Sequence, residues 1–114
     1  MMDESRYQKL ADSALGTIER MLEDVDAEVV DVERAGDVVT LTFANGKKCV
    51  INTQRPTRQI WLAANARAWH FSFDEASSQW LDDKGQMIDG KRVELIAQVA
   101  SIVKEQAGVD LPTG

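Results

Sequence analysis

Carboxylates crowd the front of this chain in a spacing that suits hard cations. Residues 1–33 carry ten acidic and three basic side chains, a net of −7, whereas residues 34–114 carry nine acids and ten bases, a net of +1. A merely solubilising surface would mix and spread its charges. At about 100° per residue, Asp12, Glu19, Glu23 and Asp26 fall within an arc of roughly 60° on one helix face. Asp24 and Glu28 follow closely, and Asp31 and Glu33 alternate with Val30 and Val32. Such a ridge presents the oxygen donors that iron, magnesium and calcium prefer, but no closed cage, so binding would be weak and poorly selective. It would equally attract a basic protein surface. The plain alternative is a solvated helix face. Against it stands the repulsion of like charges at i, i+4, such as Glu19 and Glu23, which costs a few tenths of a kcal/mol per pair and is mostly not relieved by interleaved lysines.

A second group of side chains could carry recognition. Strand parity is the argument, because successive side chains point to opposite faces of a sheet. With Cys49 and Ile51 inward, Val50, Asn52 and Gln54 face away. With Ile60 and Leu62 inward, Gln59, Trp61 and Ala63 face away. With Trp69, Phe71 and Phe73 inward, His70 and Ser72 face away. Asn52, Gln54, Gln59, Trp61 and His70 then share one uncovered surface. A tryptophan is more often buried than exposed, yet an outward Trp61 ringed by amides has the character of an interface hot spot.

Other chemistries find less support. His70 is the only histidine, and the sequence has neither a Cys/His cluster nor a glycine-rich phosphate loop. Cys49 is the only cysteine, so no internal disulfide can form, and its inward parity predicts a buried, inert thiol rather than a nucleophile. No pair of buried carboxylates suited to acid/base work is suggested, so no catalytic residue is assigned.

The elements that must position these residues follow from periodicity. Tyr7, Ala11, Ala14, Ile18, Met21, Leu22 and Val25 recur at steps of three and four, which predicts a helix over 4–25 with Gly16 as its weak point. The period then falls to two through Val30–Val32, Val39–Phe43, Cys49–Ile51, Ile60–Leu62 and Trp69–Phe73, with a short strand near 79–82. Asn45-Gly46 is a hairpin signal. Helical spacing returns in Val93, Ile96, Val99, Ala100, Val103 and Ala107, with Asp89 as N-cap and Gly108 as stop. Helix, about six short strands, helix, with short links, predicts an α+β two-layer sandwich: both terminal helices cover one face of an antiparallel sheet. One domain over 1–114 is expected, with its core in 5–106 and a tail at 107–114, where Leu111 either folds back or lies in a disordered end.

The net charge of −6 argues against nucleic acid and anionic membrane as partners. No apolar run approaches the roughly 20 residues of a membrane span. The acidic start, Met1 to Ser5, is unlike a signal or transit peptide, so a cytoplasmic location is the expectation.

The run Asn52-Thr53-Gln54-Arg55-Pro56-Thr57-Arg58-Gln59-Ile60-Trp61-Leu62-Ala63 resembles the signature of the frataxin family, Asn-x-Gln-x-Pro-x-x-Gln-Ile/Val-Trp-Leu-Ala/Ser. Leu10-Ala11-Asp12, Thr17-Ile18-Glu19, Leu41-Thr42-Phe43, Asn45-Gly46 and His70-Phe71 are similar to its bacterial, CyaY-type branch, and the likeness spans about residues 5–106. The resemblance implies a frataxin-like sandwich and a non-enzyme that binds iron and the cysteine desulfurase and scaffold complex of iron–sulfur cluster assembly, as a regulator. By position it implies iron sites, ferrous or ferric, at Glu19, Glu23, Asp24 and Asp26, and at Asp31 and Glu33. It implies partner contacts at Asn52, Gln54, Gln59 and Trp61. Arg20 departs from the acid that relatives can carry there and thins the ridge. The expected state without iron is a monomer, and an iron-dependent oligomer is compatible with the ridge. Two alternatives remain: ferrous-iron oxidation with oligomeric storage, and an acidic interaction protein with incidental metal binding.

Overall fold

The computed structural model describes residues 2–112. The elements run α1 (Glu4–Met21), β1 (Val30–Ala35), β2 (Val38–Phe43), β3 (Lys48–Gln54), β4 (Gln59–Ala64), β5 (Arg67–Asp74), β6 (Gln79–Asp82), β7 (Met87–Ile88), β8 (Lys91–Arg92) and α2 (Leu95–Ala107). Strands β1 to β6 form one antiparallel sheet in sequence order, as the short links require. Both helices pack on one of its faces, giving the expected α+β sandwich.

The core holds Tyr7, Leu15 and Ile18 of α1, Leu95, Val99 and Val103 of α2, and the inward side chains Val39, Leu41, Cys49, Ile51, Ile60, Leu62 and Phe71 of the sheet. Alternation within the strands is clean: β2 to β4 bury every second residue. The intervening positions, Thr, Lys, Asn and Gln mixed with Val38, Val50, Trp61 and Ala63, face the side on which no described helix packs.

Helix α1 opens on Asp3, whose carboxylate accepts from the Arg6 N–H at 2.8 Å. It stops at Met21, one turn before the expected 25. Leu22 and Val25 still point to the core, but from a turn, because Asp24 and Asp26 favour backbone-capping conformations over a helix interior. The Val25 N–H closes that turn on the Leu22 carbonyl at 3.0 Å, and Asp26, accepting from the Glu28 N–H at 2.8 Å, holds the next turn, which leads into β1.

Asp89 does not cap α2. It sits with Gly90 in the two-residue turn of the small β7–β8 hairpin, both at positive φ (53° and 77°). The cap is Glu94, which accepts from the N–H groups of Ile96 and Ala97. Gly108 ends the helix in the left-handed conformation, as expected. The buried stripe of α2 is also turned from the expected one: Leu95 and Ile102 are buried, whereas Ile96 is half-buried.

The loop Ala44–Lys47 joins β2 to β3, with the Phe43 N–H donating to the Lys47 carbonyl; only Gly46, not Asn45, takes positive φ. After α2 the chain folds back, and Val109 and Leu111 pack against the core. The last two residues of the expected tail, 113 and 114, lie outside the described residues. No described helix is long and apolar enough to cross a membrane.

Candidate functional site

The uncovered sheet face places the five residues expected to carry recognition in adjoining rows. Register aligns Val38, Asn52, Trp61 and His70 across β2 to β5, and Gln54, Gln59, Ser72 and Leu81 across β3 to β6. The Trp61 and His70 rings stack, with centroids 4.1 Å apart and planes 11° from parallel. The Trp61 indole N–H donates to Gln59 Oε1 at 3.0 Å. The Gln59 amide in turn donates to Asp83 Oδ2 at 2.8 Å and to Ser72 Oγ at 3.1 Å. His70 Nδ1 lies 4.0 Å from the same Asp83 oxygen. Trp61 is thus half-buried but fixed on one face by a ring and on its edge by an amide. A large side chain already held in place loses little rotamer freedom on binding. Asn52 and Gln54 are half-buried beside it, and the Asn52 amide leans on the Thr53 carbonyl at 3.4 Å.

The turn that carries the signature is anchored from below. The fully buried Tyr7 hydroxyl donates to the Gln59 carbonyl at 2.6 Å and accepts from the Gln54 N–H at 3.1 Å. Burial pushes the Tyr7 phenol above its ordinary range. Between these contacts Arg55–Thr57 make one 3-10 turn and Arg58 is left-handed, with φ 54° and its guanidinium 5.9 Å from the Tyr7 ring centre.

The acidic residues divide into two sets. Asp12 and Glu19 share one partner, Arg34, whose Nη1 donates to Glu19 Oε1 at 2.8 Å while Nη2 donates to Asp12 Oδ1. These carboxylates hold the Arg34 guanidinium above its ordinary pKa, Glu19 first. Glu23, Asp24, Asp26, Asp31 and Glu33 take part in no ion pair among the described residues. Glu23 and Asp31 line a shallow groove of about 400 Å³ between the end of α1 and β1, with Glu19 and Arg20 at its wall. Glu33 lies further along β1, on the uncovered side with Asp31. Among the described residues no three Asp, Glu, His or Cys side chains converge as a metal cluster. The carboxylates therefore offer open surface positions rather than a cage.

Cys49 is buried, and desolvation pushes its thiol up to about 12, so a thiolate is not available near neutral pH. Periodicity had not singled out Arg34, Asp83 or the hydroxyl role of Tyr7. The one signal for Arg34 was a base at an inward-parity position, in line with Val30 and Val32. Asp83 reaches the site because β6 ends beside β5, with its N–H donating to the His70 carbonyl at 2.9 Å.

Comparison with known proteins agrees with this architecture. The model of the frataxin-like domain matches residues 1–108. The iron–sulfur cluster assembly protein CyaY of Pseudomonas fluorescens is 35% identical over 109 residues, which cover 96% of this chain and 93% of that protein. The protein of the same name from Paraburkholderia xenovorans is 37% identical over 107 residues, covering 94% and 93%. The structure of frataxin from Psychromonas ingrahamii aligns with a TM-score of 0.84 at 28% identity, over 99% of both chains. With its sheet, its signature turn and the acids that run from the end of α1 into β1 arranged in this way, the chain belongs to the frataxin-like family, in the bacterial CyaY branch, a family of proteins that are not enzymes.

Proposed function

We propose that this chain is an iron-responsive regulator of iron–sulfur cluster assembly. It binds iron weakly on its surface carboxylates, and its uncovered sheet face docks on the complex of cysteine desulfurase and scaffold. The observation that carries this reading is Trp61, held by His70 and Gln59 on a face that no second layer covers. A half-buried aromatic in a ring of amides has the anatomy of a binding hot spot, where truncation costs more than about 1–2 kcal/mol. Relatives named as iron–sulfur cluster assembly proteins supply the partner class.

Iron is cargo or signal in this reading, not a resident cofactor. The carboxylates at Glu23, Asp24, Asp26, Asp31 and Glu33 have the hard-oxygen chemistry it needs, and the exposure of all but the half-buried Asp31 accounts for weak, exchangeable binding. Oxidation of ferrous iron would require several ligands held around one point, and the described carboxylates are spread along a surface. The acidic end also attracts a basic partner surface and speeds its approach, an effect that falls with salt. Without iron the chain is read as a monomer, working in the cytoplasm.

Retention of the protein on its cognate cysteine desulfurase, with and without ferrous iron under anaerobic conditions, tests the reading. Binding that changes with iron and is lost in Trp61→Ala is the expected result. No retention under either condition, with the scaffold present, overturns it.

A further inference from the structure

Arg34 joins two carboxylates of α1 from the neighbouring strand. It stands on β1 with its side chain three-quarters buried, its exposure being 24%. Every edge of its guanidinium is used: Nη2 on Asp12, Nη1 on Glu19 at 2.8 Å, and Nε on the Gly36 carbonyl at 3.2 Å. Asp12 and Glu19 lie seven residues apart on α1, about 10 Å along the axis at roughly 1.5 Å per residue. Their side chains converge on one planar fork, a carboxylate on each terminal nitrogen, whereas a single ion with metal–oxygen bonds of about 2–2.5 Å would need the two carboxylates drawn closer still. The fork is also tethered. A group delivered by a neighbouring strand meets its partners at an effective concentration in the millimolar range or above, so a dilute ion competes at a disadvantage.

Beyond this pair the surface changes. Arg20, a base on the last turn of α1, donates to the Thr17 hydroxyl at 3.2 Å and pairs with no carboxylate among the described residues.

We propose that Arg34 is a built-in counter-cation that withdraws Asp12 and Glu19 from metal binding and confines iron to Glu23, Asp24, Asp26, Asp31 and Glu33. The proposal rests on the reading above, that the carboxylates bind iron. It assigns Arg34 the part of a specificity-determining residue: it shortens the acidic ridge to its β1 end and limits the number of ions taken up.

A calorimetric titration of the full chain decides the matter, with ferrous iron under anaerobic conditions and manganese(II) as an air-stable probe. In the wild-type background, Asp12→Asn with Glu19→Gln should leave affinity and stoichiometry within about two-fold. Glu23→Gln with Asp31→Asn should weaken binding at least about five-fold. Arg34→Gln should add capacity or tighten binding several-fold, and the gain should vanish when Asp12→Asn and Glu19→Gln are added. Arg20→Gln removes an equal charge without a clamp and should give a clearly smaller gain. If Arg34→Gln does not fold, Arg34→Lys serves, because one ammonium cannot bridge both carboxylates. Loss of wild-type binding in Asp12→Asn with Glu19→Gln, as large as at Glu23 and Asp31, overturns the proposal alone. An absence of metal binding in every variant overturns the iron reading and the proposal with it.

Discussion

The hydroxyl of Tyr7 makes two hydrogen bonds in a place with no access to solvent, donating to the Gln59 carbonyl and accepting from the Gln54 N–H. Both partners are main-chain groups at the ends of the signature turn, so one side chain from α1 fixes the corner from which Gln59 and Trp61 project. Removing the hydroxyl leaves a buried donor and a buried acceptor without their partner. Tyr7→Phe should therefore cost about 1–3 kcal/mol, more than its small change in volume suggests. Urea denaturation measures this; a loss below roughly 0.3 kcal/mol would mean that the turn holds without the anchor. The buried thiol of Cys49 illustrates the opposite case, an apolar filling atom group whose chemistry is suppressed by its surroundings.

Strands β3 to β5 carry the residues of the proposed interface, and their parity assigns each residue to one of two faces. Trp61 is half-buried on the open face, and Phe71 is fully buried on the other. Trp61→Ala should cost less than about 1.5 kcal/mol of stability, the range of a change away from the core, while Phe71→Ala should cost roughly 3–5 kcal/mol. The Trp61 loss is not zero, because His70 forfeits its stacked neighbour and Gln59 its indole donor. Chemical denaturation of both variants, with a binding titration on the first, checks the pair. Equal destabilisation would put Trp61 in the core and remove the proposed interface. Helix boundaries depend on other forces. Asp26 caps the turn that leads into β1, after α1 has ended at Met21, and Glu94 rather than Asp89 starts α2, because a carboxylate caps whichever N–H groups the chain brings to it.

For the molecule as a whole, charge is distributed by edge. One edge of the sheet is β1, which carries Asp31, Glu33 and Arg34, and charged side chains there also discourage pairing with another chain. The two large apolar side chains most exposed among the described residues, Met87 and Ile88, lie on the β7–β8 hairpin at the opposite side of the sheet order, beyond β6. Relieving the acidic edge should raise stability in metal-free protein. Glu23→Lys, which breaks no ion pair or hydrogen bond among the described residues, should gain a few tenths of a kcal/mol at low salt. Asp26→Lys should not, because it gives up the bond from the Glu28 N–H that closes the turn. The gain at Glu23 should fade near 1 M salt, where the Debye length is about 3 Å. Denaturation midpoints for the two variants at low and high salt provide the check. A loss for Glu23→Lys at low salt would reveal a structural contact of that carboxylate.

Periodicity in the sequence determined which residues share a face, because side-chain direction in a strand depends only on the local backbone. That is why Asn52, Gln54, Gln59, Trp61 and His70 could be placed together before any coordinates, and why the order of helix, six strands and helix was readable. The small β7–β8 hairpin was not readable, since two-residue strands are too short to show a period. The buried stripe of α2 was only half readable, because Leu95 and Ile102 are inside by virtue of how the helix is rotated on the sheet. The turn between β4 and β5 was hidden for another reason: Asn65 and Ala66 both take positive φ without a glycine, a strain imposed by the pairing on either side. The state of each acid was decided by tertiary structure alone. Asp12 and Glu19 looked the same as Glu23 in sequence, yet Arg34, 22 and 15 residues away, pairs with the first two and not with the third. Ion pairs follow distance in space, and in this fold that distance is set by how β1 lies beside α1.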